Sequence, residues 1–478
     1  MELVAKGSQD IFLTGNPKVS YFRSVYKRHT NFSHESIKQS ITGQLDFGKT
    51  VEVIISRSGD LLSSINLEID LPKISGKYGK TISYIDSIGH YIIDKIDFMI
   101  GEQIIDTHYG EWLEIWSELT LSESHKNGYN TMIGKNITIT EAKTLIIPLQ
   151  FWFCRNYGLA LPLVALQYHQ VKLMITLKPF SECWKKDFDT FYLDKVNNVV
   201  TINSSVSDDV VSRFSDLGLN TTLNDGSDNY FGMKLLWSDG TEDTVQNRVS
   251  GNDQSLTLET NSTVPNKTGY AYLIKGEPSI DVVLDDFRVF GDYIFLDTGE
   301  RKFFAQNKHL YLIEQLQNNG INSYTKGQES NKIDLDFNHP CKELIWVNSL
   351  DFNKKLNLPF NYSDRVDTSY GSDNPVKDAI IHINGQERFD SRTADYFRLL
   401  VPYQKHSRIP ENYIYVYSFA IKPEDNQPSG TCNYSRLNTS ELTINFVNGI
   451  DDLTTRIYAI NYNMLNIVNG MGGLAYSN

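Results

Sequence analysis

The feature that most constrains this chain is an apolar–polar alternation with a period of two. Val51-Glu-Val-Ile-Ile55, Ile65-Asn-Leu-Glu-Ile-Asp-Leu71, Val171-Lys-Leu-Met-Ile-Thr-Leu177, Tyr413-Ile-Tyr-Val-Tyr417 and Leu442-Thr-Ile-Asn-Phe446 all carry it. Successive side chains of a strand point to opposite faces, so such runs build strands with one buried face. Turn signals separate them: Ser58-Gly59-Asp60, Pro72, Ile100-Gly101-Glu102, Asn384-Gly385 and Pro428-Ser429-Gly430. Short strands with frequent turns predict an all-β sandwich or barrel. Helical segments are few. The first dozen residues read as a short helix. Trp112, Ile115, Trp116 and Leu119 follow i, i+3, i+4, i+7 spacing and predict a helix over Glu111–Leu119. Arg301–Gln317 has mixed spacing, and its type stays open.

The chain also repeats itself. Ile100–Asp106 resembles Asn384–Asp390, with Gly101 and Asp106 spaced like Gly385 and Asp390. The offset of 284 holds through Glu111-Trp112 against Asp395-Tyr396 and Ile115-Trp116 against Leu399-Leu400. Ile55–Leu62 lies over Phe337–Leu344 at offset 282, and Gln170–Leu173 over Glu441–Ile444 at offset 271. Phe287–Phe290 lies over Thr455–Tyr458 at offset 168. The order is the same in both halves. The last offset drops because the first copy carries an insertion before its final strand.

That insertion, residues 185–283, is rich in Asn, Ser, Thr, Asp and Gly, with 15 acids against 8 bases. Asn197–Thr201 and Tyr270–Ile274 read as short strands, and the rest as an exposed, irregular acidic surface loop. The expected fold is an all-β tandem double jelly roll: two eight-stranded β-sandwiches with few short helices and long loops. Residues 1–28 form an N-terminal arm, 29–298 the first roll with its insertion, and 299–478 the second.

Charge and chemistry narrow the function. Lys and Arg total 45 against 58 Asp and Glu, a net charge of −13. Such a chain does not pack nucleic acid, which needs cations on phosphates. The arm differs, carrying Lys18, Arg23, Lys27, Arg28 and His29 among Tyr21, Phe22, Tyr26 and Phe32. Such a mixture suits an anionic partner; the plainer expectation is an arm docked on its own domain. Cys154, Cys183, Cys341 and Cys432 are isolated and read as free thiols in a reducing compartment. The N-terminal stretch lacks the apolar core of a secretory signal, and no apolar run approaches the roughly 20 residues of a membrane helix. The expectation is a soluble protein made in the cytosol.

Candidate sites are weak. Asp425–Cys432 has exposed-looking Ser429, Thr431 and Cys432 but no nucleophile elbow, so a structural turn around Pro428 and Gly430 is expected. The pairs Asp208-Asp209, Asp285-Asp286 and Asp451-Asp452 lack the spacing of a calcium loop. His34-Glu35, His169 and His339-Pro-Cys341 match no metal motif. No catalytic residue, cofactor or metal is expected. Trp112 and Trp116 admit three readings: a carbohydrate or partner site, a buried helix face, or interface anchors. Asn-X-Ser/Thr triplets occur at Asn31, Asn136, Asn203, Asn220, Asn261, Asn266, Asn361, Asn433 and Asn438. In Asn-rich loops such triplets do not locate glycans.

Several motifs together resemble one family. Gly7-Ser-Gln-Asp-Ile-Phe-Leu-Thr-Gly-Asn-Pro17, with Ser20-Tyr-Phe22 and Tyr26–Phe32, is similar to the N-terminus of major capsid proteins of nucleocytoplasmic large DNA viruses. Asp292–Arg301, Phe304-Ala-Gln306 and Tyr311–Gln317 resemble the family's domain junction. Asn384–Arg388 resembles a strand–turn of its second domain, and Tyr417–Asp425 with Gln427–Asn433 and Ser435-Arg436 is the most diagnostic run. The resemblance spans the chain except residues 185–283. It implies a structural, non-enzymatic protein of the virion. It implies homotrimers that form pseudo-hexagonal capsomers tiling an icosahedral shell. Neighbouring capsomers, minor capsid or cement proteins and penton proteins become the partners. An inner viral membrane reached by the arm is a further one, and direct genome binding is not expected. The alternatives are a jelly-roll carbohydrate-binding or host-attachment protein and, further off, a β-sandwich glycoside hydrolase.

Overall fold

The computed structural model describes all residues except 1–6, 45, 77–81, 187, 197–198, 203–233, 238–240, 253–254, 261–264, 275–277, 280–281, 329, 365–373 and 477–478. Two β-sandwiches follow one another. The first is built from β1 (Phe32–Lys38), β2 (Thr50–Ile55), β3 (Leu61–Leu71), β4 (Ile93–Ile100), β5 (Gln103–Tyr109), β6 (Lys143–Pro148), β7 (Val171–Leu177) and β8 (Asp286–Leu296). The second uses β9 (His309–Tyr324), β10 (Asn331–Asp334), β11 (Pro340–Leu350), β12 (Val376–Ile383), β13 (Gln386–Glu387), β14 (Ile414–Ser418), β15 (Ser440–Phe446) and β16 (Leu453–Val468). The sheets run β1-β8-β3-β6 and β2-β7-β4-β5 in the first, and β9-β16-β11-β14 and β10-β15-β12-β13 in the second. Counted within each sandwich, both orders are 1-8-3-6 and 2-7-4-5, antiparallel throughout. This is the jelly-roll order, built twice. Short extra strands at Ser40–Thr42, Leu161–Pro162, Arg392–Thr393, Cys432–Asn433 and Met471–Leu474 widen the sheets.

Each internal sequence match falls on equivalent elements. Gly101 and Gly385, both at positive φ, turn the fourth strand into the fifth. Gln170–Leu173 and Glu441–Ile444 lie at the seventh strands, and Phe287–Phe290 and Thr455–Tyr458 in the eighth. The period-two runs bury one face: β7 alternates buried and half-buried residues along its whole length. Their apolar sides fill two separate cores. Val53, Leu67, Phe98 and Leu173 belong to the first, and Leu344, Trp346, Ile381 and Leu442 to the second.

Two expectations need correction, and one open segment is assigned. The insertion is not an irregular loop. Its described strands Phe188–Val196, Val199–Ile202, Lys234–Trp237, Glu242–Asn252, Ser255–Thr260 and Lys267–Ile274 close into a six-stranded antiparallel barrel. Polar-rich composition hid it, since closure pairs every backbone group without long apolar runs. Lys195 and Asp243 form an ion pair buried within the barrel, and the Trp237 indole donates to Asp243 at 2.8 Å. Residues 203–233, with Asp208-Asp209 and Asn220, lie outside the described residues, as do Asn203 and Asn261. Arg301–Gln317 divides between a helix, Thr298–Gln306, and strand β9. The N-terminal helix is one turn, Ile11–Thr14; residues 1–6 of that prediction lie outside the described residues.

Candidate assembly surfaces

The joint between the rolls starts with the predicted helix, α1 (Gly110–Thr120), which follows β5. Glu111 in its first turn favours the helix start, and Ser122 opens the next helix, α2 (Glu123–Ile133). A Cβ on Gly110 would lie 2.1 Å from the His90 carbonyl oxygen, so only glycine lets the helix leave β5 so tightly. Leu113 points home into the first core. Trp112, Ile115, Trp116 and Leu119 point across, onto Ile345, Val347, Ile414, Val416, Tyr458 and Ile460 of the second roll. Trp112 and Trp116 are 1% and 4% exposed, so they form no open carbohydrate platform. They are the buried helix face of the second reading, but packed on the other roll.

Sequence reasoning missed the receiving side. Its signal was present: Leu344-Ile-Trp-Val347 breaks the alternation with a continuous apolar run, which marks a strand covered on both faces. Leu344 and Trp346 serve the second core while Ile345 and Val347 take α1.

Polar contacts fix the register of the joint. Glu111 accepts from the Tyr458 and Tyr362 hydroxyls at 2.7 and 3.1 Å and pairs with Arg456 at 2.5 Å. Arg155 pairs with Glu314 at 2.7 Å and lies 4.4 Å over the Trp116 ring. The Leu316 amide donates to Asp106, and the Gln315 amide group donates to the Ile105 carbonyl. Beneath α1, Lys135 binds Glu114 and Glu118, and His90 meets Glu114 at 2.6 Å. Burial would raise the Glu114 carboxyl, but Lys135 and His90 outweigh it and hold it down at about 2. Glu118 also accepts from the Glu411 amide of the second roll. The barrel adds a third tie: Leu236 and Ile274 cover Leu356, and Tyr272 stands 5.1 Å from Phe352.

Over its described residues, 7–28, the arm is not docked on its own domain, contrary to expectation. Phe12, Leu13, Tyr21, Phe22 and Tyr26 are all strongly exposed, as are the arm's cations. Just past the arm the chain is tied down, where Thr30 donates to Glu300 and His29 meets the Phe32 ring.

The remaining candidates have structural surroundings. The Ser429 hydroxyl both accepts from the Lys422 amide and donates to its carbonyl, closing the Asp425–Cys432 turn. Gly430, at φ +126°, sits so close to the Phe419 carbonyl that a Cβ would touch it at 3.0 Å. Asp286 pairs with Arg288 and Asp451 with Lys326, and His169 contacts the Gly472 carbonyl oxygen at 2.9 Å. All four cysteines are free; Cys183 and Cys341 are buried, and burial pushes the Cys154 thiol up to about 12. Among the described residues no three His, Cys, Asp or Glu side chains gather to hold a metal ion, and no helix is long and apolar enough to cross a membrane.

The chain is a tandem double jelly roll with its two rolls locked side by side, a fold shared by the capsid proteins it matches. The comparisons agree. Residues 20–216 match the family model described as major capsid protein N-terminus, and residues 300–473 the one described as large eukaryotic DNA virus major capsid protein. The major capsid protein of Phaeocystis pouchetii virus is 34% identical over all of this chain and 99% of its own length. That of Paramecium bursaria Chlorella virus 1 is 32% identical over 100% and 99%. Among solved structures, PBCV-1 VP54 matches with a TM-score of 0.67 at 28% identity, covering 96% of this chain and 100% of its own. The Faustovirus major capsid protein shares the fold, with a TM-score of 0.63 at 11% identity over 97% and 94%. The chain belongs to the major capsid proteins of large eukaryotic DNA viruses. It is a structural component of the virion capsid, from a family that is not enzymatic.

Proposed function

We propose that three copies of this chain close into a pseudo-hexagonal capsomer, and that such capsomers tile an icosahedral shell. One observation carries the reading: two rolls of identical strand order are locked side by side by a buried joint, so three chains supply six equivalent lobes. Heterologous contacts of this kind close into rings. Neighbouring capsomers, minor capsid or cement proteins and penton proteins are its partners. The protein is synthesised in the host cytoplasm, and it has no catalytic centre, cofactor or metal. The working divisions are the arm at 1–28, the first roll at 29–298 with its barrel insertion, and the second roll at 299–478.

The arm supports an inward contact. Its exposed aromatics and cations suit minor capsid proteins or the inner viral membrane, while the −13 net charge argues against direct genome binding. Native mass spectrometry tests the trimer, expected at about 164 kDa from three chains of 54.6 kDa at every concentration. A monomer at all concentrations would refute it. Deleting residues 1–25 tests the arm; unchanged incorporation into shells and unchanged shell stability would remove that contact.

A further inference from the structure

The contact that joins the rolls within one chain recurs, uncovered, on the second roll. Offset 284 carries Trp112, Ile115, Trp116 and Leu119 to Tyr396, Leu399, Leu400 and Tyr403. It also carries Leu113 to Phe397, and each of these two points into its own roll's core. Both segments lie between the fifth and sixth strands, the second being a wide turn at Tyr396–Leu400 continued by a helix at Val401–Lys405. The anchoring is the same, but the cover is not. Tyr396 is half-buried against the joint of its own chain, but Leu399, Leu400 and Tyr403 are 37%, 43% and 73% exposed, whereas their counterparts are buried.

The matching receiving face is open on the first roll. Val289 pairs with Leu67 as Ile457 does with Trp346, so Asn66 and Asp292 stand where the second roll has Ile345 and Ile460, two residues under α1. A cavity of about 630 Å³ occupies this place, lined by Ser36, Ser63, Ser64, Arg155, Tyr157 and Asp292 among others. Exposed Tyr157 and Ile146 give the neighbourhood apolar contacts. Its charge is acidic: Glu35 lines the cavity, and Glu68, Asp70 and Asp286 share the single cation Arg288. The presenting segment brings Lys405, while Arg398 is turned onto its own roll, 4.1 Å over the Tyr413 ring. A face of serines and carboxylates also keeps the unassembled chain soluble, as an apolar one would not.

We infer that Tyr396–Lys405 of one copy docks on the outward face of the β1-β8-β3-β6 sheet of a second copy, repeating between chains the contact α1 makes within one. This rests on the trimer reading above and names its interface. Internal and external joints then alternate around the ring, and three chains close it.

The test uses the full chain, in wild-type form and as Leu400→Asp/Tyr403→Asp, Ser36→Trp on the receiving face, and Val196→Asp, an exposed barrel position, as control. Sedimentation velocity and native mass are read beside thermal unfolding. The expected result is a trimer for wild type and control. Both interface variants should stay folded and associate at least about 100-fold more weakly, as loss of a central interface anchor does. If wild type and both interface variants are equally trimeric, this interface is wrong and the trimer reading stands. If wild type is a monomer, the trimer reading fails and the interface with it. Should the double variant misfold, Ser36→Trp decides: a full-strength trimer overturns the inference, and a folded monomer upholds it.

Discussion

Replacing Trp116 with alanine removes the centre of the joint between the rolls. The ring is buried, lies 5.6 Å from Trp112 and carries the Arg155 guanidinium 4.4 Å over its face. Truncating a buried tryptophan costs about 3–5 kcal/mol, through lost transfer energy and the cavity left behind. The cation–π contact, worth about 1 kcal/mol, falls inside that range. Leu400 is the matched position on the second roll, and 43% of it is exposed in the single chain. Leu400→Ala should therefore cost within about 0.5 kcal/mol when chains are dissociated. Urea titration read by far-UV circular dichroism and fluorescence separates the two. With a slope of about 2–3 kcal/mol/M, the Trp116→Ala midpoint falls by about 1–2.5 M while that of Leu400→Ala barely moves. A Trp116→Ala shift below about 1 kcal/mol, or equal losses at both positions, would refute the reasoning.

Three further predictions follow from buried charge and from the barrel. His406 is fully buried between Glu343 and Glu424, each 3.1 Å away, while the nearby Lys342 ammonium is taken by Glu314 and the Pro423 carbonyl. Burial pushes its imidazole down, but the two carboxylates outweigh it and hold it at about 9. A raised folded value means stability is complete below pH about 6.5 and is lost as pH climbs through about 9, a change on the order of 3 kcal/mol. The melting temperature should fall across that window and His406→Gln should flatten the step; a wild-type profile level to about pH 9.5 contradicts it. Lys135→Met leaves Glu114 and Glu118 buried without their cation and should cost about 3–5 kcal/mol in urea, with partial recovery in Lys135→Met/Glu118→Gln. Phe188 and Ile274 are paired neighbours, so a short Gly-Ser link can replace residues 188–274. Both rolls should keep their unfolding transition, with a loss of about 1–3 kcal/mol from uncovering Leu356 and Phe352; an insoluble product would show that the barrel is needed to fold.

The duplication was legible because it rests on local chemistry. The turn glycines Gly101 and Gly385, each five residues before an Asp, and the alternating seventh strands recur in the same order in both copies. The α1 face was legible too, since Trp112, Ile115, Trp116 and Leu119 obey helical periodicity. Which surface that face meets was not, because it depends on how two distant segments pack. Leu344–Val347 gave a hint only in its failure to alternate. The barrel escaped because most of its strands carry many polar residues and read as loop, and the two runs that did read as strands, Asn197–Thr201 and Tyr270–Ile274, do not by themselves show closure. The exposure of Phe12, Leu13 and Phe22 was equally illegible: an aromatic-rich arm reads the same whether it docks on its own chain or waits for a partner.

The most direct test of the central claim is an electron cryo-microscopy map of the isolated oligomer. The account predicts six roll-sized lobes around a three-fold axis, with α1 inside every second junction and Tyr396–Lys405 inside the others. A dimer, a monomer, or a trimer whose rolls stack along the axis instead of alternating around it would contradict it.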